Sequence, residues 1–214
     1  MVETSEIQRH AFNQCFAESG LDWRWSREDY QSMLSTSGGQ KRIASEAHRR
    51  GMQIDAASLH RRKTQIFQRM MREGSALPRP GVKESIAIAR ELNLAIGLVT
   101  STSPENVNAI LSAVSSRIDP SVFDVVIDID RCGSSKPEPD CYQVALKTLG
   151  IDADECLAVE DNCDGVTAAH RAGIACLAFP GANTLDHDYH LAVERTDDLA
   201  SSVNAQLRGA AAIA

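Results

Sequence analysis

The sequence predicts an α/β protein in which a helical region precedes a parallel sheet that helices cover on both faces. Up to about Gly74 the apolar residues recur at helical spacing, and no strand is evident. After the Pro- and Gly-rich segment 77–81, four apolar runs alternate with helical stretches, which is typical of a parallel sheet. We therefore divide the chain into a helical domain at residues 1–78 and an α/β domain at residues 79–214.

The helical region begins with one continuous apolar stripe. Its residues recur every three to four positions and are Ile7, Ala11, Phe12, Cys15 and Phe16. Gly20 follows this stripe and is expected to end the first helix. Further helical stretches are predicted at residues 27–34, 40–50 and 56–72.

In the α/β region, each predicted helix precedes an apolar run that we interpret as a strand. The predicted helices lie at residues 83–92, 104–114, 139–149 and 165–171. The predicted strands lie at residues 94–99, 122–129, 156–159 and 175–179. Right-handed crossovers bring the carboxyl ends of parallel strands to one edge of the sheet, so we expect the functional residues there.

Composition excludes several classes of protein. The chain has 214 residues, of which 43% are hydrophobic and 24% charged, close to the average of soluble globular proteins. No apolar run approaches the roughly 18 residues of a membrane span. The N-terminal segment lacks the basic start and the apolar stretch of a secretory signal. We therefore expect a cytoplasmic protein without a membrane partner. We also expect a monomer, although composition does not address the oligomeric state.

The six cysteines occur singly, without a C-x-x-C pair. In a chain with no export signal this pattern favours buried or incidental thiols, with redox sensing or metal binding as alternatives.

The net charge of −7 conceals a basic segment. Between Lys41 and Lys83 there are eleven Lys and Arg residues and three acidic ones. They are scattered over helical sequence without interleaved aromatic residues, which favours a solvated helical face. The alternatives are a positive lid that attracts a phosphorylated small molecule and a nucleic-acid surface. We expect no nucleic-acid partner.

Polar residues follow three of the predicted strands. Thr100 and Ser101 follow the first strand, just before a helix N-terminus that could accept a phosphate. Lys136 lies after the second strand, and Glu160 and Asp161 follow the third. Adjacent carboxylates repel each other unless a cation joins them, so a Mg²⁺ site is plausible there. Each feature alone has a structural explanation, but their order along successive strands is specific.

These motifs resemble those of the haloacid dehalogenase superfamily, and in particular its CbbY-like sugar-phosphate phosphatases and phosphoglucomutase-like enzymes. Residues 98–101 are similar to the second family motif, residues 135–140 to the third, and residues 160–165 to the fourth. The helical region is similar to the cap that this family inserts between its first and second motifs. Residues 38–42 would then lie in the substrate-facing segment of the cap.

The resemblance implies a Mg²⁺-dependent phosphatase that acts on a small sugar phosphate or bisphosphate through an aspartyl-phosphate. Thr100 and Lys136 would be catalytic, the first holding a phosphoryl oxygen and the second offsetting negative charge. Asp161 would bind Mg²⁺, with Glu160 as a further metal ligand. The candidate substrate-binding residues are Glu3, Lys41, Arg42 and Ser101.

One family motif, D-x-D-G-T, is absent from the 214 residues. In the family its first Asp is the nucleophile, its second is the general acid/base, and its strand is central in the sheet. Met1–Glu6 resembles the stretch just after this motif. We therefore expect a core that lacks its first, central strand, an inactive chain as given, and a natural start further upstream. A catalytically dead relative that still binds phosphate and metal is the alternative.

Asp128 and Asp130 have the D-x-D spacing but lie between the second and third motifs, followed by Arg131 rather than by Gly-Thr. We reject them as a substitute for the missing motif.

Overall fold

The computed structural model describes residues 1–34, 38–74 and 76–211, and its first part is helical, as predicted. The helices there, which we call the cap, are α1 (Ser5–Glu18), α2 (Arg27–Met33), α3 (Gly39–Arg49) and α4 (Ala56–Glu73). Helix α1 buries four residues of the predicted stripe, from Ala11 to Phe16. Helix α2 begins with a capping box, in which Ser26 and Asp29 each accept the other's backbone N–H.

An aromatic cluster holds the cap helices together. The ring centroids of Phe12 and Phe16 on α1 lie 4.7 and 4.8 Å from that of Trp25. Trp23 and Tyr30 are buried in the same cluster. Because aromatic side chains bury large areas and prefer defined ring geometries, this cluster fixes the chain around α1.

The remainder of the chain alternates helices and strands. Its helices are α5 (Val82–Glu91), α6 (Pro104–Val114), α7 (Asp140–Leu149), α8 (Cys163–Arg171) and α9 (Leu199–Ala211). Its strands are β1 (Gly97–Val99), β2 (Val125–Ile127), β3 (Leu157–Glu160), β4 (Ala175–Ala178) and β5 (Glu194–Arg195). Across the described part of the chain, none of the helices combines the length and the apolar character that crossing a bilayer requires.

The strands form two parallel sheets rather than one. In the first sheet β1 pairs with β2, and in the second the order is β3-β4-β5. The four predicted strands are confirmed, whereas β5 was missed because its two polar residues carry no apolar pattern. Within residues 1–34, 38–74 and 76–211, no strand joins β1 to β3. This is the arrangement expected of a sheet whose central strand is absent.

A cleft of about 1790 Å³, which we call the central cleft, extends from the space between the two sheets to the cap. Apolar residues of both sheets line it, including Leu98 of β1 and Leu157 of β3. Leu94 and Val159 also line it and are 37% and 41% exposed, although they belong to the apolar runs that predicted these strands. The cleft therefore exposes side chains that a covered parallel sheet would bury.

The cap packs on the α/β core through α4 and α6. Phe67 and Met71 of α4 share a buried cluster with Ala109 of α6. At the edge of this contact, Gln68 Nε2 donates a hydrogen bond to Asn106 Oδ1 at 3.0 Å. The contact places the cap over the carboxyl edge of β1, because α6 begins directly after that strand's loop.

Two of the six cysteines differ from the prediction. Cys132 and Cys141 form a disulfide, so the expectation of unpaired thiols is wrong for this pair. Cys15, Cys156, Cys163 and Cys176 are free thiols. The disulfide encloses the loop between β2 and α7.

Candidate functional site

The residues that follow β1, β2 and β3 meet at the carboxyl edges of the two sheets. Thr100 and Ser101 follow β1, Lys136 lies in the loop between β2 and α7, Glu160 ends β3, and Asp161 comes next. All five residues line the central cleft. The order of strands and polar residues in the sequence predicted this convergence.

Lys136 is fixed at both its backbone and its side chain. Its backbone N–H donates to Ser101 Oγ at 2.9 Å, and its ammonium donates to the Val99 carbonyl at 2.9 Å. The side chain is 11% exposed. Since Val99 and Ser101 flank Thr100 in the chain, these contacts hold the ammonium beside that threonine.

Glu160 is the buried carboxylate of the site. Its Oε1 accepts hydrogen bonds from Lys136 Nζ and Tyr142 Oη. Burial, together with the Glu160 charge, raises the pKa of Tyr142 well above its usual value, so its hydroxyl remains a donor. These contacts with an ammonium and a phenol position Lys136, and the assignment of Glu160 as a metal ligand stays a prediction.

Asp161 is the exposed carboxylate of the site. Its Oδ1 accepts from Asn162 Nδ2 at 2.7 Å, and Asn162 caps the N-terminus of α8. Its backbone carbonyl accepts from Thr184 Oγ1 at 2.5 Å and from Tyr189 Oη at 2.9 Å. The main chain at Asp161 is therefore held from two sides, while the carboxylate remains accessible from the cleft.

The oxygen donors around Asp161 suit a magnesium ion. Mg²⁺ is usually bound by one or two protein carboxylates together with waters and substrate phosphate. Asp161 and Asp164 both line the cleft. Among the residues that the structure describes, no group of three or more His, Cys, Asp or Glu side chains is arranged to hold a metal. The residues present thus fit a Mg²⁺ site that a ligand or a further carboxylate would complete.

The cap contributes a wall of basic side chains to the same cleft. Arg42, His60 and Lys63 line it, together with the ring of Tyr30. Arg42 Nε donates to the Met33 carbonyl at 3.0 Å, and its guanidinium lies 5.8 Å from the Tyr30 ring centroid. The structure therefore brings Arg42, one of the predicted substrate-binding residues, to the cleft.

The structure does not bring the other two predicted cap residues to the cleft lining. Glu3 accepts hydrogen bonds from Ser5 Oγ at 2.6 Å and from the Ala182 backbone N–H at 3.0 Å. Lys41 is exposed on α3. Glu3 thus belongs to the junction between the cap and the core.

Lys63 was placed on a solvated helical face by the sequence analysis, and the structure corrects this. It is 5% exposed, its ammonium donates to Gln8 Oε1, and it lies 4.4 Å from the Phe12 ring centroid. Burial, with a smaller effect of nearby Arg42, lowers the pKa of Lys63 to about 7. Burial and the charges of Lys63 and Arg42 lower the pKa of His60 to about 4.

The basic segment thus contains both buried and surface cations. Lys63 shares one face of α4 with Leu59, Ile66 and Phe67, and this helical spacing could have identified it as inward-facing. Ion pairs join Arg49 and Arg50 to the buried Glu46, and surface ion pairs join Arg62 and Arg69 to Glu18. Lys63 and Arg42 thus match the alternative of a positive lid, whereas the paired arginines match the prediction of a solvated helical face.

The Lys63→Met variant is expected to be more stable than the natural chain at about pH 6, and to lose this advantage towards pH 10. Below a pKa of about 7, Lys63 is protonated in the folded and unfolded states, so folding carries the full cost of burying its charge. Between about 7 and the ordinary value of 10.5 the unfolded chain binds more protons, so the natural chain gains stability as pH rises. Each pKa unit corresponds to about 1.4 kcal/mol.

Urea unfolding at several pH values measures this difference in the free energy of unfolding. Lys147→Met, at an exposed position of α7, is the matched control. A difference between the Lys63 variant and the natural chain that stays constant from about pH 6 to pH 10 would contradict the prediction.

Comparison with known proteins places these features in a family context. A family model described as haloacid dehalogenase-like hydrolase matches residues 2–173. Protein CbbY of Cereibacter sphaeroides is 37% identical over 192 residues, which cover 88% of this chain and 84% of the relative. The crystal structure of CbbY from Rhodobacter sphaeroides in complex with phosphate matches with a TM-score of 0.84 and 35% identity, over 94% of this chain and 90% of that chain. A mutant of that protein, solved in complex with xylulose-(1,5)-bisphosphate, matches with the same TM-score of 0.84.

Proposed function

The chain belongs to the haloacid dehalogenase-like hydrolase family, and from this premise we propose that it is a Mg²⁺-dependent phosphatase of a small sugar phosphate, preferably a bisphosphate. The observation that carries the proposal is that Thr100, Lys136 and Asp161 line one cleft. A hydroxyl, an ammonium and a carboxylate at one place supply a phosphate grip and an oxygen ligand for a divalent cation. The phosphate complex of the related CbbY supports the same chemistry.

Thr100 and Lys136 would bind the phosphate that is removed. Thr100 Oγ1 accepts a hydrogen bond from the Thr102 backbone N–H at 3.2 Å, so its own proton can be donated to a phosphoryl oxygen. Lys136 lies beside it with its ammonium held by the Val99 carbonyl and Glu160. Such fixed donors stabilise the charge on the equatorial oxygens without reorganisation during the reaction.

Asp161 would hold Mg²⁺ at this site. When bound, Mg²⁺ supplies positive charge that draws electron density from the phosphoryl oxygens. The carbonyl contacts from Thr184 and Tyr189 keep the Asp161 main chain in place for this role.

The cap end of the cleft suggests a substrate with a second anionic group. Lys63 and Arg42 lie on the cap wall, away from the strand ends that carry Thr100 and Asp161. A buried ammonium next to a guanidinium is costly in the absence of an anion, so a second phosphate would offset both charges. The bisphosphate bound to the related CbbY mutant supports this substrate class.

In the family the nucleophile is the first Asp of the D-x-D-G-T motif, and this motif is absent from the 214 residues. We infer that an Asp enters on an extended strand that lies between β1 and β3 and continues into Met1. Met1 lines the central cleft, and its carbonyl accepts from the Arg79 backbone N–H at 2.9 Å. The facing edges of β1 and β3 offer ladder hydrogen bonds, and the apolar lining offers packing for such a strand.

In the proposed reaction this Asp attacks phosphorus, and the bond between phosphorus and the sugar oxygen breaks. The second Asp of the same motif protonates the leaving sugar oxygen, and it then accepts a proton from the water that hydrolyses the aspartyl-phosphate. The products are the sugar with a free hydroxyl group and inorganic phosphate.

A second candidate function is the binding of phosphate and metal without turnover. It is favoured by one observation: in the described ranges no strand carries a carboxylate into the space between β1 and β3. Under this alternative the protein binds its ligand through Thr100, Lys136 and Asp161 and releases it unchanged.

The two candidates are separated by measuring phosphate release from a panel of sugar mono- and bisphosphates. The protein is prepared with the strand in place, by adding the in-frame upstream codons to the N-terminus; we call this the strand-completed protein. We expect release that requires Mg²⁺, is abolished by EDTA, and is fastest for a bisphosphate such as xylulose 1,5-bisphosphate. Ligand binding by calorimetry without release from any member of the panel would favour the binding protein instead.

A further inference from the structure

A buried asparagine of the core has hydrogen bonds to two cap helices. Asn183 lies in the loop after β4 and is 4% exposed. Its Oδ1 accepts from Arg27 Nε at 2.9 Å and from Gln31 Nε2 at 3.1 Å, both on α2. Its Nδ2 donates to Ser5 Oγ at 3.0 Å and to Glu6 Oε1 at 2.6 Å, both on α1. All four partners therefore come from the cap.

This position requires an amide side chain. Two donors approach one end of Asn183 and two acceptors lie at the other, which matches the carbonyl and the NH₂ of an amide. A carboxylate would face Glu6, whose pKa is lowered by its hydrogen bonds with Arg9, so that two negative charges would meet. An apolar side chain would leave four polar groups, three of them on half-buried residues, without this partner.

The same loop contacts the main chain of Asp161. Thr184, the next residue, donates from Oγ1 to the Asp161 carbonyl at 2.5 Å. The single hydroxyl hydrogen of Tyr189 is shared between the Asp161 and Thr184 carbonyls, each 2.9 Å from Oη. The loop thus lies between the cap on one side and the backbone of Asp161 on the other.

The cap has a second attachment on the opposite flank of the cleft. Gln68 of α4 donates to Asn106 Oδ1 at 3.0 Å, and Asn106 Nδ2 donates to Thr102 Oγ1 at 2.9 Å. The apolar contact between α4 and α6 supports this flank. If the contacts of Asn183 were lost, the cap would keep this attachment. Within the described residues, the loop after β4 would then hold the cap only through the hydrogen bonds of Glu3, Arg27 and Gln31 with the Ala182 main chain.

We propose that Asn183 is a positioning residue that docks the cap on the core and links this docking to the placement of Asp161. When the cap is docked, Asn183 fixes the loop from which Thr184 holds the Asp161 carbonyl. The docking follows from the contacts alone, whereas its effect on turnover rests on the proposed function.

Hydrogen exchange on the 214-residue chain tests the docking. Asn183→Leu keeps the branched shape of the side chain, with a larger volume, and removes all four hydrogen bonds. We expect backbone amides at residues 27–33 and 181–184 to exchange about ten times faster in this variant. Asn108→Leu, at an exposed position of α6, is the matched control and should leave these rates unchanged. Equal exchange in Asn183→Leu and the control would overturn the proposal.

A donor-acceptor swap excludes a merely structural effect and remains informative if Asn183→Leu does not fold. Asn183→Asp alone places two carboxylates together and should open the cap. Adding Glu6→Gln supplies an amide donor to the new carboxylate, so the double variant should recover at least half of the lost protection from exchange. Failure of the second substitution to restore protection would count against the docking role.

Kinetics of the strand-completed protein tests the link to Asp161. In Asn183→Asp we expect the Mg²⁺ concentration for half-maximal activity to rise about tenfold, and in the double variant to return towards the natural value. An unchanged Mg²⁺ requirement, together with faster exchange, would refute the link while leaving the docking intact. If the strand-completed natural protein releases no phosphate, the proposed function fails, and the exchange experiment still decides whether Asn183 docks the cap.

Discussion

Strand completion is expected to raise the rate of phosphate release from xylulose 1,5-bisphosphate by about 10⁴-fold or more over the 214-residue chain. The added strand would bring the nucleophile and the acid/base to a site where Thr100, Lys136 and Asp161 already line the cleft. It would also give β1 and β3 their missing ladder partner. The rates are measured as inorganic phosphate released under saturating substrate and Mg²⁺.

The matched control is the strand-completed protein in which the first Asp of the motif is replaced by Asn. This variant has the same strand and packing but no nucleophile, so it should gain in stability over the 214-residue chain and remain inactive. Comparable activity in the Asn variant, or full activity in the 214-residue chain itself, would contradict the proposed source of the nucleophile.

Lys136→Met in the strand-completed protein is expected to lower kcat by about 10³-fold. The substitution removes the fixed ammonium beside Thr100 and leaves the buried Glu160 carboxylate with Tyr142 as its remaining partner. KM should change much less than kcat, because the lysine stabilises negative charge that develops in the transition state of phosphoryl transfer. Steady-state kinetics measures both constants.

Lys147→Met, at an exposed site on α7, is the control for loss of a lysine and should retain near-natural activity. Circular dichroism of both variants checks that the fold is retained. A drop in kcat of less than about tenfold for a folded Lys136→Met protein would remove this lysine from the catalytic set.

The strands, and the carboxyl edge at which the polar residues meet, could be predicted because both depend on local sequence pattern. The apolar runs before Thr100 and Glu160 identify β1 and β3, and the alternation with helices identifies their parallel order. Strand β5 could not be predicted, since two polar residues become a strand only by pairing with β4.

Pairings over long chain separations account for the parts of the site that were missed. The sequence indicated no partners for the Glu160 carboxylate, because only the folded chain brings Lys136 and Tyr142 to it. The contact between Arg27 and Asn183 spans 156 residues and has no signature in either segment. Such contacts are set by the docking of two separately formed units, which local pattern does not describe.

The bond between Cys132 and Cys141 has a consequence for ligand binding. It closes the segment around Lys136 into a small covalent ring. Under the proposed function Lys136 binds a phosphate. A tethered segment has fewer conformations available before that phosphate arrives, so less conformational entropy is lost on binding. Under the proposed function, the redox conditions around the protein therefore influence the entropic cost of binding, because they decide whether the disulfide has ordered this segment before the ligand arrives.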